Sequence, residues 1–115
     1  RKSISTEHTF STDLTNGDEI LGRLYQIADE LFDRMKKKNI YGRTLTMKIK
    51  FADFRQITRS KSINRIIRDK TSLTNLMLEI FRDLDFHQVR IRLLGLGISN
   101  LDRPRNEGIQ LTLDF

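Results

Sequence analysis

The chain of 115 residues contains no cysteine, so it has neither disulfide bonds nor thiolate metal ligands. It also lacks a signal peptide and any run of about 18 apolar residues, the length that a membrane-crossing helix needs. We therefore expect a soluble domain. Because the first residue is Arg1 and not Met, we expect a fragment of a longer protein.

The residue patterns of common catalytic sites are also absent. His8 and His87 lie on different predicted elements without a partner at ligand spacing, which favours structural roles. The glycines of the segment 95–97 fall inside a predicted strand and precede no helix, so they indicate packing and not a phosphate-binding loop. No strand presents a carboxylate pair suited to two metal ions. The chain by itself is predicted to be non-catalytic.

What the sequence does contain is an ordinary apolar fraction and an excess of positive charge. Hydrophobic residues make up 37% and charged residues 31%, which is typical of one globular domain. Lys and Arg number 21 against 15 Asp and Glu, for a net charge of +6. Basic domains of this kind favour polyanions, with nucleic acid first and an anionic membrane second.

Hydrophobic periodicity predicts four strands and two helices. Asn16 is placed to cap a helix with apolar residues at helical spacing, from Ile20 to Met35, and Ser72 is placed to start a second helix. The predicted strands are residues 1–11, 44–51, 56–63 and 88–98. We expect Val89, Ile91 and Leu93 to face the core, and a bulge after Leu93. The resulting order is β-α-β-β-α-β, an α+β fold with a four-stranded antiparallel sheet and both helices on one face.

Such a sheet leaves one face open, and strand alternation predicts which side chains it carries. Residues 44–51 alternate strictly, with Leu45, Met47, Ile49 and Phe51 on the core side. The outward set, which gathers hydroxyls and cations, is Thr44, Thr46, Lys48, Lys50, Arg90 and Arg92. Two further stretches offer hydroxyls, cations and backbone N–H groups for phosphate: Lys2, Ser3 and Ser5, and then Thr58, Arg59, Ser60 and Lys61.

Three functions compete for this face. The aromatic side chains Phe10, Phe51 and Phe81 sit at core-facing positions and leave no stacking platform, which favours duplex DNA held by its phosphates. An RNA-binding sheet would expose aromatic side chains there. A pure protein-interaction domain would present an apolar face.

The chain ends in "QLTLDF", residues 110–115, after a polar stretch with Pro104 and Gly108. One reading is a last β-strand, and the other is a peptide that docks in a partner's pocket. The proline and glycine disfavour continuous strand pairing, so the docking peptide is preferred. We expect a domain at residues 1–101 and a flexible tail at 102–115.

Four stretches together resemble the little finger domain of Y-family DNA polymerases, in the branch of the DinB-like lesion-bypass enzymes. They are "RKSIS…EHTFS", "LTMKIKFADFRQITRSKSI", "VRIRLLGLGISNL" and the terminal "QLTLDF". The resemblance covers essentially the whole chain. It implies a non-catalytic domain that grips damaged primer-template duplex DNA, with contacts at Lys2, Ser3 and Ser5, at residues 58–61 and at Arg92.

The resemblance also implies what lies elsewhere. The parent protein would be a DNA-directed DNA polymerase, a cytoplasmic nucleotidyltransferase of translesion synthesis, with its catalytic carboxylates and Mg²⁺ in a palm domain that this chain lacks. No cofactor is expected in this domain, and no membrane. The tail is similar to peptides that bind the bacterial sliding clamp. Gln110 would bond at the pocket rim and Leu111, Leu113 and Phe115 would supply the apolar contacts.

Overall fold

A computed structural model describes residues 3–101 of the chain. The elements are β1 (Ile4–Leu14), α1 (Gly17–Lys38), β2 (Gly42–Phe51), β3 (Gln56–Ile67), α2 (Lys70–Arg82) and β4 (Ile91–Leu101). The four strands form one antiparallel sheet in the order β1-β4-β2-β3, and both helices pack on one face of it. The predicted α+β fold is confirmed. No helix within residues 3–101 is both long and apolar enough to span a bilayer.

Helix α1 begins and ends at the residues that its sequence favours. The Asn16 side chain accepts a hydrogen bond from the Glu19 backbone N–H at 2.8 Å, which satisfies one of the free donors of the first turn. At the other end Asn39 adopts a left-handed conformation with φ 53° and closes the last turn. Lys36, Lys37 and Lys38 occupy that last turn, where positive charge complements the helix dipole.

Helix α2 begins two residues earlier than predicted. Asp69 is the N-cap, and its carboxylate accepts hydrogen bonds from both the backbone N–H and the hydroxyl of Ser72, each at 2.9 Å. Ser72 therefore lies inside the first turn and does not start the helix. The Ser72 backbone N–H, as the largest cause, lowers the pKa of Asp69 below its ordinary value of 3.8.

The core lies between the helices and one face of the sheet. Helix α1 buries every residue of the predicted stripe, and β2 buries all four of the predicted alternating residues. From α2 come Leu73, Leu76, Met77 and Ile80, whereas Phe81 and Leu84 are only partly buried. Strands β1 and β3 continue beyond their predicted ends to the buried Leu14 and Ile67.

Strand β4 differs most from the prediction. It begins at Ile91, and its buried hydrophobic residues are Ile91, Leu94, Leu96 and Ile98, so Leu93 points away from the core. The bulge lies before Leu93 and not after it, because Lys50 pairs with Leu93 whereas Phe51 pairs with Ile91. Pairing is regular across Gly95 and Gly97. One extra residue, Arg92, thus shifts the alternation of the strand.

We expect Thr6→Val to stabilise the domain. Thr6 is 5% exposed on the core side of β1, and its hydroxyl has no hydrogen-bond partner within the described residues. Removing an unpaired buried hydroxyl should raise the free energy of unfolding by about 1 kcal/mol. Urea denaturation measures this, with Thr9→Val on the exposed side of the same strand as the neutral control. A less stable Thr6→Val variant would contradict the expectation.

The cap of α2 should make stability depend on acidity. A carboxyl whose pKa is lower in the folded chain stabilises above its unfolded pKa and loses that contribution as the pH falls through the folded value. Asn caps helices about as well as Asp but does not titrate. Asp69→Asn should therefore lose less stability than the wild type between about pH 5 and pH 2, measured by urea denaturation. If the free energy of unfolding fell equally with pH in both proteins, the carboxylate would not have this role.

Candidate nucleic-acid interface

The face of the sheet opposite the helices is rich in hydroxyl groups. Thr44, Thr46, Lys48 and Lys50 of β2 point outward between buried neighbours, as predicted. Their partners across the β2–β3 pair are Ser62, Ser60, Thr58 and Gln56. The hydroxyl groups of Thr44 and Ser62 form a hydrogen bond at 2.7 Å, and those of Thr46 and Ser60 form another at the same distance. The hydroxyls thus form a ladder across two strands, and we call this side of the sheet the open face.

A trough of about 260 Å³ runs across the open face from β1 to β3. Gly95 and Gly97 of the inner strand β4 lie along its floor, with Ser5 and Glu7 of β1 on one side and Lys48 and Thr58 on the other. A Cβ at Gly95 would lie 3.0 Å from the Glu7 Cβ, and one at Gly97 would lie 3.3 Å from the Ser5 Cβ. The two glycines keep the trough open, so a bound backbone can approach closely.

The charge of the open face is mixed and not purely basic. The Lys48 ammonium lies 3.1 Å from a carboxylate oxygen of Glu7. Lys50 has no ion-pair partner among the residues that the structure describes. Sequence reasoning missed Glu7, although it stands two positions from Ser5 in a strand and must share its face.

Two of the predicted cations lie on the other side of the sheet. In β3, Arg59 pairs with buried Met47 and Lys61 with buried Leu45, so both side chains emerge on the helix face. The Lys61 ammonium lies 3.3 Å from Asp83 and 3.7 Å from Glu79, at the end of α2. Arg59 and Lys61 therefore lie apart from the open face, because neighbours in a strand point to opposite faces.

The arginines near β4 also depart from the predicted alternation. Arg90 lies before the strand, and its guanidinium is 3.5 Å from Asp13. Arg92 is the extra residue of the bulge, and its guanidinium carbon lies 5.1 Å from the ring centroid of Phe54. Phe54, in the turn between β2 and β3, is 69% exposed and was not considered by the sequence analysis. The signal in the sequence was that Phe54 lies between two charged residues, Asp53 and Arg55, in the connection between two predicted strands.

The remaining predicted residues fall into two groups. Ser3 and Ser5 are exposed at the start of β1 and line the trough. Lys2 and the four tail residues Gln110, Leu111, Leu113 and Phe115 lie outside the described residues, as does the proposed tail boundary after 101.

No cluster of metal-ligating side chains is found in the described range. Within residues 3–101, no three His, Asp or Glu side chains are grouped to hold a metal ion. The ring of His8 contacts the Glu30 carboxylate at 2.9 Å and links β1 to α1. The chemistry on the open face is that of hydroxyl groups, lysines, the Glu7 carboxylate and closely accessible backbone.

Comparison with solved structures shows that other proteins share this fold. The fold is similar to that of a chain in the complex of the β-clamp processivity factor and the little finger domain of Pol IV. That chain has a TM-score of 0.69 and 24% identity over 90% of this chain and 92% of its own length. A Y-family DNA polymerase chimera, Dbh-Dpo4-Dbh, matches with a TM-score of 0.75 and 18% identity over 90% of this chain and 30% of its own.

Sequence comparison then gives the family. The chain belongs to the impB/mucB/samB family C-terminal domain, whose profile matches residues 1–113, and the resemblance to the little finger domain is confirmed. DNA polymerase IV of Bacteroides fragilis is 37% identical over the whole of this chain and 33% of its own length. DNA polymerase IV of Akkermansia muciniphila is 34% identical over the same shares. The chain thus spans about a third of the length of these relatives.

Proposed function

We propose that this domain grips duplex DNA across the major groove, as a non-catalytic part of a translesion DNA polymerase. The observation that carries the proposal is the glycine-floored trough on the open face, which lies between two strand edges rich in hydroxyl groups. Duplex DNA offers rows of phosphates on either side of its major groove. Hydroxyls, lysines and backbone N–H groups are the usual partners of those phosphates.

The width of the sheet supports this arrangement. Three spacings between four strands amount to about 14 Å, close to the major-groove width of about 12 Å. The outermost strands are β1 and β3, and each has one edge without a strand partner in the described part of the chain. Their N–H groups and the hydroxyls of Ser3, Ser5, Thr58 and Ser60 can reach phosphates on either side, while the trough accommodates the groove between.

The same features disfavour the two competing functions. Among residues 3–101, those that line the trough include no aromatic side chain and so offer no stacking platform of the kind that RNA-binding sheets use. The open face carries hydroxyls and two lysines and is not an apolar patch, which disfavours a pure protein-interaction surface.

The parent enzyme is proposed from the relatives. The curated relatives are named DNA polymerase IV, and two thirds of their length lies outside the matched region. We propose that the catalytic carboxylates and the Mg²⁺ ions belong to that part of the protein, and that this domain supplies the grip on primer-template DNA.

Binding should be weak, indifferent to sequence and sensitive to salt. With about three to five phosphates neutralised, log K should fall with log salt at a slope of about −3 to −4. Titrations of several duplexes at a series of salt concentrations measure this. Either a salt-independent affinity or a strong preference for one sequence would contradict phosphate binding.

Lys50→Ala should weaken duplex binding and reduce the magnitude of that slope by about one, because this outward lysine has no ion-pair partner within residues 3–101. Lys37→Ala is the matched control, since it removes the same charge from the exposed end of α1, where Lys37 pairs with Asp33 at 3.2 Å. Equal effects of the two variants would show that net charge, and not the open face, determines binding.

We further propose that residues 110–115 dock on a bacterial sliding clamp. The support is the "QLTLDF" sequence and the solved complex of a Pol IV little finger domain with the β-clamp processivity factor. A variant that ends at Glu107 should lose clamp affinity and keep its melting temperature, since the apolar groups would belong in the partner's pocket. Leu113→Ala and Phe115→Ala should reproduce most of the loss, by about 2 kcal/mol or more each for anchor residues.

The control for the tail is Thr112→Ala, which should bind the clamp as the wild type does. Surface plasmon resonance on an immobilised clamp and thermal unfolding are the two measurements. A truncated chain that melts many degrees lower, or that binds the clamp normally, would favour the alternative of a terminal β-strand.

A further inference from the structure

Phe54 is a large aromatic side chain held in solvent by an unfavourable backbone. It is 69% exposed, and the only other large hydrophobic residue so exposed within residues 3–101 is Tyr25 on α1, at 41%. The φ angle of Phe54 is 73°, a left-handed conformation that Gly or Asn adopts readily and a bulky residue rarely does. Neither burial in the core nor turn geometry therefore accounts for a phenylalanine at this position.

The turn around Phe54 is closed by several hydrogen bonds. The Phe54 N–H donates to the Phe51 carbonyl at 3.0 Å, and the Phe51 N–H donates to the Arg55 carbonyl at 2.9 Å. The Asp53 carboxylate accepts from the Arg55 backbone N–H at 3.1 Å and from its side-chain Nε at 2.9 Å. The Ala52 N–H donates to the Arg90 carbonyl, which ties the turn to the segment before β4. These hydrogen bonds thus hold in place the backbone that carries the Phe54 ring.

The surroundings of the ring favour a planar, anionic ligand. The Arg92 guanidinium lies over the ring at 5.1 Å, within the range of cation–π attraction. Neither Arg92 nor Lys50 has a carboxylate partner among the described residues. An open cleft of about 210 Å³ beside the turn is lined by Arg55 and Arg90, which are paired with Asp53 and Asp13. The uncompensated positive charge favours an anionic ligand over an apolar one, and the exposed aromatic face beside it favours a nucleic-acid strand, which carries planar bases, over an acidic peptide.

The position of the turn relative to the open face indicates which part of a DNA strand would contact Phe54. Phe54 follows the end of β2, four residues beyond Lys50, and contacts the bulge of β4, so it stands at one end of the trough-bearing sheet. We propose that Phe54 and Arg92 form a stacking site for an unpaired nucleobase, where a DNA strand leaves the duplex held on the open face. This proposal rests on the proposed duplex grip and extends it to the adjoining single strand.

The test uses the 115-residue chain and two DNA ligands that share one duplex. One is blunt, and the other carries a short single-stranded extension whose first unpaired base is the fluorescent 2-aminopurine. Phe54→Leu should weaken binding of the extended DNA about fivefold or more, the low end of base–aromatic stacking, and leave binding of the blunt DNA within about twofold. The wild type should quench the 2-aminopurine fluorescence on binding, and Phe54→Leu should not.

Three further variants make the result specific. Phe54→Trp should retain both the affinity and the quenching, because it keeps an aromatic face. Phe54→Gly, which accommodates the positive φ, should fold and show the same loss as Phe54→Leu, so that the loss is not a folding defect. Tyr25→Leu, at the other exposed aromatic, should bind both ligands as the wild type does.

The outcomes separate this proposal from the duplex grip. If the wild type binds the blunt duplex and Phe54→Leu binds the extended DNA equally well, the stacking site is overturned and the grip stands. The same holds if Phe54→Leu weakens both ligands equally. If no protein binds the blunt duplex, the grip is overturned and the stacking site with it.

Discussion

The strict two-residue period of a strand, applied to a sheet covered on one side only, is the constraint on which the rest of this domain depends. Both helices need the same face of the sheet to bury their apolar stripes, so every second residue of β2 is committed to the core. The intervening residues are then exposed together, whatever their chemistry. The same alternation that buries one set of side chains in the core places the other set on the open face.

The sequence predicts those elements in which many apolar residues recur at the spacing of a helix or of a strand. Helix α1 has six buried residues at helical spacing between a capping Asn16 and a closing Asn39, and β2 has four alternating ones, so both could be placed before the structure was known. The core-facing residues of strand β4 could not be predicted in this way, because Leu93 and Leu94 are adjacent and either could face the core. A bulge is decided by the pairing of neighbouring strands, which local sequence does not contain. The start of α2 was ambiguous for a similar reason, since Asp69 and Ser72 are both capable caps.

The candidate site was predicted in its chemistry more than in its layout. Thr44, Thr46, Lys48 and Lys50 lie where alternation placed them, but Arg59 and Lys61 emerge beside the helices. Residues 58–61 were predicted as one source of phosphate contacts, but a strand divides any such run between two faces. Glycines at 95 and 97 were assigned to packing within the sheet, whereas they face outward and shape the trough. Phe54 escaped notice because its exposure depends on a left-handed turn residue, a conformation that a phenylalanine does not suggest.

The ion pair between Lys48 and Glu7 has a consequence for how this face would exchange partners. Its ammonium is already 3.1 Å from a carboxylate, so a phosphate that takes its place substitutes one anion for another. A lysine that binds phosphate releases a cation from the nucleic acid, but here Lys48 would also give up its attraction to Glu7. The exchange of one anionic partner for another therefore gains less free energy than binding by an unpaired lysine would. In the proposed duplex grip, such a contact would add little resistance to movement along a strand, since the Glu7 carboxylate stays close enough to receive the lysine when a phosphate departs.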